Sequence, residues 1–368
     1  MRISLQSLGC KVNQAEILDL EHALRRGGHE LVGLAERPDV CVVNTCTVTA
    51  KSDYQSRQLI RRAARTGGRV IVTGCYSQMN QDRVREMDNV HHVVSNTDKD
   101  KIISYIDDKL KVINDPGSRS SRTRYFLKVQ DGCSNSCSYC LVWKARGKSR
   151  SIALGEAVKR ARAAVEAGYK EIVLSGVHLG LYGHDLLPQV SLADLMEEIL
   201  LKTKVPRIRL SSLEINEITP RILKLLGDSR VCSHLHVPLQ SGDSGVLGQM
   251  RRNYDMEGFR DRVLEISSQL GETLALGTDI IAGFPTETDE AFDNSLALAS
   301  ELPFTYMHVF PYSSRPGTQA CGLEDIVGQN KRVARASMLR DLAAWKKESY
   351  MRTQDGRILE VLFEKRLR

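Results

Sequence analysis

The apolar positions of the first hundred residues alternate between two periods. Arg2–Leu8 alternates apolar and polar residues and reads as a strand. Gln14–Arg26 carries Ile17, Leu18, Leu20 and Leu24 at helical spacing and stops at Gly27-Gly28. Val40–Asn44 is a short apolar strand, Asp53–Ala64 is helical and stops at Gly67-Gly68, and Val70–Thr73 is a third strand. This β-α-β-α-β order predicts a small parallel sheet. Residues 114–123, NDPGSRSSRT, are turn formers without periodicity and read as a linker.

Beyond the linker six strand candidates recur: Tyr125–Val129, Glu171–Leu174, Arg207–Leu210, His234–Leu239, Thr278–Ile281 and Tyr306–Phe310. Amphipathic helices such as Gly155–Ala167, Leu192–Lys202 and Phe259–Leu270 lie between them. The expected class is therefore α/β, an N-terminal parallel βαβ domain followed by a partial (β/α)6 barrel with its functional residues at the carboxyl ends of the strands. Leu323–Thr353 has a helical pattern, and Arg357–Phe363 reads as one strand without partners. The expected division is 1–113, a linker at 114–123, a barrel domain at 124–350 and a remnant or beginning of a further domain at 351–368.

Composition narrows the class. In 368 residues no stretch reaches the roughly 18 to 20 apolar residues of a membrane span. The opening MRISLQSLGCKVNQ lacks the apolar block of a secretion signal, so a cytoplasmic, membrane-free protein is expected. Nine cysteines, an odd number in a long chain of this kind, point to metal or catalytic use rather than a disulfide framework. The net charge of +7 is uneven: residues 331–368 hold eleven Lys or Arg against five Asp or Glu. A second basic run, Lys144-Ala-Arg146-Gly-Lys148-Ser-Arg150, follows a cysteine cluster. Either run reads as solvated surface; together in a basic protein they favour a phosphate-rich partner such as RNA.

The strongest chemical signal is Cys133-x3-Cys137-x2-Cys140, placed just after the first barrel strand. Three thiolates with no nearby fourth Cys or His do not complete a zinc tetrahedron. They suit three irons of a [4Fe–4S] cubane whose fourth iron stays open, the arrangement that S-adenosylmethionine (SAM) needs for one-electron cleavage. A second set is spread along the chain. Cys10, Cys46 and Cys75 each follow one of the first three strands, so a parallel sheet brings them to one edge. Gly9 and Gly74 precede two of them and permit close backbone approach. On residues alone this set stays open between a second cluster and ordinary buried thiols. Cys41 and Cys232 read as core, Cys321 has no grouping, and His178, His234 and His236 read as structural or polar-lining histidines.

Nine segments together, SLGCKVNQAE, VVNTCTVT, VTGCYSQ, DGCSNSCSYC, LSGVHLGLYG, IRLSSLEINEIT, HLHVPLQSGDSGVLGQMRRNY, TDIIAGFPTET and HVFPYSSRPGT, resemble the radical SAM methylthiotransferase family from residue 1 to about 363. The resemblance implies that Cys10, Cys46 and Cys75 hold an auxiliary [4Fe–4S] cluster carrying the sulfur to be inserted. Cys133, Cys137 and Cys140 then hold the cluster that cleaves SAM. It implies two SAM molecules, one as methyl donor and one as radical source. An electron donor such as flavodoxin or ferredoxin and a sulfur source follow as partners.

For SAM it implies Tyr139, Gly176, Ser212, Glu214, Gln240 and Arg252 as candidate contacts, each also compatible with a structural role. Arg251 and Arg252 are candidates for a carboxylate or an RNA phosphate. The turn LGCKVN is similar to the branch that acts on N6-threonylcarbamoyladenosine beside the tRNA anticodon. Other branches act on isopentenylated adenosine or on a ribosomal protein, and these, or a peptide, are the alternative targets. Two departures from the family pattern stand out. Leu141-Val142-Trp143-Lys144 replaces an Ile-Pro-Tyr type sequence, and of the C-terminal RNA-binding TRAM barrel only Arg357–Phe363 resembles a strand.

Overall fold

In a computed structural model, which describes residues 1–110 and 123–364, the N-terminal part is built on one parallel sheet. Its strands are β1 (Arg2–Ser7), β2 (Glu30–Leu31), β3 (Val40–Thr45), β4 (Arg69–Gly74) and β5 (Val90–Val93), in the order β2-β1-β3-β4-β5. The three predicted strands are its centre. The two additions are edge strands that an apolar pattern does not reveal: one is two residues long, and the other reads Val-His-His-Val and pairs across an irregularity between Val70 and Ile71.

Central β3 is buried at all six positions, which explains its unbroken apolar run. Val40 and Val42 face Ile17, Leu20 and Leu24 of helix α1 (Lys11–Arg26), while Cys41 and Val43 face Ile60 and Ala63 of helix α2 (Ala50–Ala64). Cys41 is thus core packing, as expected. Thr49 caps α2 by accepting from Ser52 N–H, which starts the helix three residues ahead of the apolar pattern.

Two short strands, β7 (Gln130–Asp131) and β8 (Arg150–Ser151), pair antiparallel just after β6 (Arg124–Lys128). The barrel strands then continue as β9 (Glu171–Ser175), β10 (Ile208–Leu210), β11 (His234–His236), β12 (Ala275–Ala282) and β13 (Tyr306–Pro311). The ladders β6-β9-β10 and β11-β12-β13 are parallel, and Cys232 N–H to Ile208 O (2.8 Å) with Leu213 N–H to His236 O (3.0 Å) join them between β10 and β11. Six parallel strands in chain order make the expected partial barrel. Its floor is tied by Glu171, fully buried at the start of β9, which takes Arg124 (2.9 Å), Arg207 (3.1 Å) and Arg209 (2.9 Å).

The carboxyl-terminal segments differ from expectation. The last helix is Gln329–Thr353, and residues 357–364 form no strand. That tail is anchored by Thr123 Oγ1–H to Phe363 O (3.1 Å) and by Arg124–Glu364 (3.0 Å) instead of by a ladder. Apart from Thr123, the 114–123 linker lies outside the described residues.

Helix α1 serves both parts: Ile17 and Leu24 pack on its own sheet, whereas Leu18 joins the barrel core with Tyr125 and Leu127. At this seam Tyr125 O–H donates to Asp19 (3.4 Å). Burial pushes the Asp19 carboxyl from 3.8 up to about 6, with Arg160 and Lys128 offsetting only part of the effect. The neutral acid is therefore favoured on folding. Its stabilising contribution is complete below pH 3.8 and lost as pH rises through about 6. Asp19→Asn should raise stability by on the order of 1 kcal/mol at pH 8 and leave it unchanged near pH 3.5, measured as the difference in urea midpoints.

Candidate active site

The sheet edge delivers Cys10, Cys46 and Cys75 to one cavity of about 590 Å³, and its opposite wall is made of barrel strand ends: Gly176, Ser211, Ser212, His236, Asp279 and His308. Two backbone positions make this convergence possible. Gly9 has φ +104°, and a Cβ there would stand 2.9 Å from Cys46 Sγ. Gly74 has φ +101°, and a Cβ would stand 2.4 Å from the Thr45 backbone. Neither site admits a side chain. Burial pushes the Cys46 and Cys75 thiols up, and a charge on Cys10 adds to both shifts, so the three sulfurs form one electrostatic group. Three soft donors facing a cavity, with glycine making room, fit a metal–sulfur cluster.

The second trio lies on a loop pinched at its base. The β7–β8 pair closes it, Cys133 N–H donates to Gly147 O (3.0 Å), and Ser138 is tied to Met250 O (3.1 Å) and Gln249 O (2.7 Å). Polar groups address its sulfurs. Arg252 donates to Cys137 Sγ (3.4 Å), Val142 N–H to Cys140 Sγ (3.3 Å), and His178 Nδ1 lies 3.5 Å from Cys133 Sγ. Burial, with the charges of Cys137 and Cys133, pushes the Cys140 thiol up to about 12. Donors aimed at sulfur are what a ligated thiolate requires around it.

Arg146 joins the two sets. It ends the short helix Val142–Arg146 that follows Cys140, its side chain is fully buried, and it donates to Cys75 Sγ (3.3 Å), Glu16 (2.9 Å) and Asp131 (2.8 Å). Lys128 (3.1 Å) and Lys99 complete the shell around Glu16. Burial alone would raise the Glu16 carboxyl; Lys99, Lys128 and Arg146 hold it well below the ordinary range. The expectation that the 144–150 basic run is solvated surface fails at this residue, because its charge is consumed at the seam.

The six candidate SAM contacts all fall at the carboxyl side of the barrel, in three groups. Gly176 and Ser212 line the large cavity, and Ser212 Oγ is 2.9 Å from His236 Nδ1. Tyr139 and Gln240 line an adjoining cavity of about 170 Å³ that shares Val48, Asp279 and Phe310 with the first. Glu214 and Arg252 pair with each other, and Arg252 also lies over the Tyr254 ring at 4.9 Å.

Comparison with known proteins fits this geometry. Residues 2–95 match the description "Uncharacterized protein family UPF0004", and residues 127–299 match the radical SAM superfamily. The threonylcarbamoyladenosine tRNA methylthiotransferase MtaB of Bacillus subtilis is 38% identical, covering 98% of this chain and 84% of its own. That of Aquifex aeolicus is 33% identical over 98% and 92%. The chain belongs to the radical SAM methylthiotransferase family. A Clostridium botulinum relative named tRNA-2-methylthio-N(6)-dimethylallyladenosine synthase is 30% identical over 98% and 85%. Among solved structures, the radical SAM methyltransferase TsrM of Kitasatospora setae superposes with a TM-score of 0.62 at 15% identity, covering 87% of this chain and 76% of that one, which supports the fold. Family membership carries with it a [4Fe–4S] cluster and SAM as cofactors.

Several residues of this family member's site were not singled out from sequence. Lys11, Asp279 and His308 line the large cavity, and His236 Nε2 and His308 Nδ1 lie 3.2 and 3.1 Å from Asp279 Oδ1. The three side chains offer donor atoms within 4.8 Å of one another. Burial would raise Asp279, but its two imidazoles bring it down to about 2. His234 instead faces the Tyr306 hydroxyl (2.8 Å), and burial, with Arg209 and Lys11, lowers it to about 3. Arg315 makes a second seam contact, to Asp53 (2.6 Å) and Thr47 (2.7 Å).

The basic C-terminal segment is also less open than its charge count implies. Arg332 binds Gly283 O (2.8 Å), Arg335 binds Glu287 (2.7 Å), and Lys346 binds Ser300 O and Leu302 O (2.8 and 2.7 Å), all buried. Among the described residues no helix is long and apolar enough to cross a membrane.

Arg146→Met leaves Glu16 and Asp131 buried with one cation fewer and should cost about 3–5 kcal/mol in anaerobic chemical denaturation. Adding Glu16→Gln should recover part of that loss; equal midpoints for wild type and the single variant would contradict the network's role.

Proposed function

We propose that this chain transfers a methylthio group to C2 of the adenine of N6-threonylcarbamoyladenosine in tRNA. The observation that carries the reading is the single cavity on which Cys10, Cys46 and Cys75 and the barrel strand ends open, with Arg146 linking Cys75 to the end of the Cys133–Cys140 loop. The similarity to relatives named for this reaction gives the substrate. In this reading Cys10, Cys46 and Cys75 hold one [4Fe–4S] cluster and Cys133, Cys137 and Cys140 another. Bound there, the clusters and SAM supply one-electron sulfonium cleavage, hydrogen removal from the adenine and the sulfur to be transferred.

The chain's residues supply placement. The Cys133–Cys140 loop is clamped to the segment after β11 through Ser138, which fixes its height above the barrel. Gly176 lets the turn pack closely on Gln130, since a Cβ there would stand 2.7 Å from Gln130 Oε1. Gln130 in turn orders the turn after β9 by accepting from His178 N–H (2.8 Å). Tyr139 and Gln240 offer an aromatic face and an amide beside the second cavity, suited to an adenosyl group. The edge of the N-terminal sheet and the barrel strand ends line one cavity, so both parts border the space the radical would cross. An electron donor of flavodoxin or ferredoxin type and a sulfur source complete the reaction, and the expected domain division at 114–123 separates the two cluster-bearing parts.

Reconstituted protein should bind about eight irons, and a Cys10→Ala/Cys46→Ala/Cys75→Ala chain about four. That variant should still form 5′-deoxyadenosine from SAM while making no methylthio nucleoside. Wild-type iron near four would sink the two-cluster reading. Mass spectrometry of tRNA nucleosides from a deletion strain decides the substrate: loss of the methylthio form of isopentenyladenosine alone, or no change, would point to the alternative targets.

A further inference from the structure

The deep wall of the large cavity carries polar capacity that the transfer chemistry does not use. Lys11 opens helix α1 and lines the cavity half-buried, and among the described residues no carboxylate lies within ion-pair distance of its ammonium. The first turn of α1 has no side-chain cap, so the partial positive charge of the helix start adds to that of Lys11. The other strong cation in the lining, Arg146, is spent on Glu16 and Asp131. Asp279, the carboxylate in the wall, already faces His236 and His308. One further atom is buried there without a hydrogen-bond partner: Ser211 Oγ, on a residue that is 6% exposed.

We infer that Lys11, with Ser211, forms a subsite for the threonine end of the modified adenosine: the ammonium takes the carboxylate, and Ser211 Oγ takes the hydroxyl. This rests on the substrate proposed above. The chemistry discriminates in both directions. A carboxylate satisfies a half-buried ammonium, whereas an isopentenyl group at the same place leaves Lys11 desolvated and unpaired beside the unbonded Ser211 Oγ. Lys11 is therefore a specificity-determining residue, and its place directly after Cys10 sets the selective contact next to the sulfur-bearing cysteines.

The test compares two anticodon stem-loop RNAs with the full chain, reconstituted anaerobically: one carrying threonylcarbamoyladenosine, the other its methyl ester. Wild type should prefer the acid by about 10- to 100-fold in Kd and kcat/KM. Lys11→Met should bring the two within about twofold, and Lys11→Arg should keep the preference. Iron content is followed in each variant because Lys11 adjoins Cys10. Should Lys11→Met lose iron, the wild-type comparison and Ser211→Ala, expected to lose a smaller part of the preference, still decide. A wild type indifferent to esterification, or an iron-replete Lys11→Met chain with undiminished preference, overturns the subsite while leaving the substrate in place. A wild type that ignores both RNAs and methylthiolates an isopentenyladenosine stem-loop overturns the substrate itself.

Discussion

A guanidinium with no solvent exposure holds this molecule's two halves in register. Arg146 leaves the barrel on the short helix behind Cys140, crosses the seam, and ends on Glu16 of α1, Asp131 of β7 and the sulfur of Cys75. Ion pairs this deep recover their desolvation cost only when every partner is satisfied in good geometry. Here the carboxylates of Glu16 and Asp131 are shared among Arg146, Lys128 and, for Glu16, Lys99. A shift between sheet and barrel would strip charges from partners at several points together. The network thus favours one relative placement, in which Cys10, Cys46 and Cys75 face the barrel strand ends across one cavity.

The rest of the seam works with this constraint. Leu18 contributes apolar burial, Asp19 and Tyr125 a polar contact, and Arg315 with Asp53 and Thr47 a second tie on the far side. Between the ties lies the cavity, bordered by Gly9 on the sheet side and Gly176 on the barrel side, two positions where a Cβ would collide with packed neighbours. Rigid borders and bare walls are what a site needs when a reactive radical must meet one carbon and nothing else.

Much of this was legible in the chain, for identifiable reasons. Strand ends in parallel sheets share an edge, so Cys10, Cys46 and Cys75 could be grouped across 65 residues without any contact information. Among the barrel strands β9 announced itself by a run buried at every position, whereas β6 showed an alternation of buried and half-buried residues. What escaped was whatever depends on tertiary pairing. Arg146 sat inside Lys-Ala-Arg-Gly-Lys-Ser-Arg, a run whose charge reads as solvated, and nothing local marks one arginine of it as buried. Arg332, Arg335 and Lys346 look like an RNA-facing surface until Glu287 and the backbone of Gly283, Ser300 and Leu302 are placed beneath them. β5 escaped because its centre is His-His, and Arg357–Phe363 reads as a strand because its composition is strand-like, although among the described residues no ladder partner lies alongside.

The two ends of the barrel divide the labour by the way charge is balanced. At the floor three arginines converge on buried Glu171, whose carboxyl they hold below its ordinary range against its burial; it is closed by partners within the chain. At the mouth the balance is left incomplete: Ser211 Oγ is buried and unbonded, and Lys11 lines the same cavity with no carboxylate of the described residues in ion-pair range. A folded chain tolerates such debts where they serve recognition, because an incoming group of matching polarity settles them and one of the wrong polarity cannot. In the proposed reading the cysteine sets supply the reaction. In the same reading Lys11 and Ser211 select which molecule is held there for it.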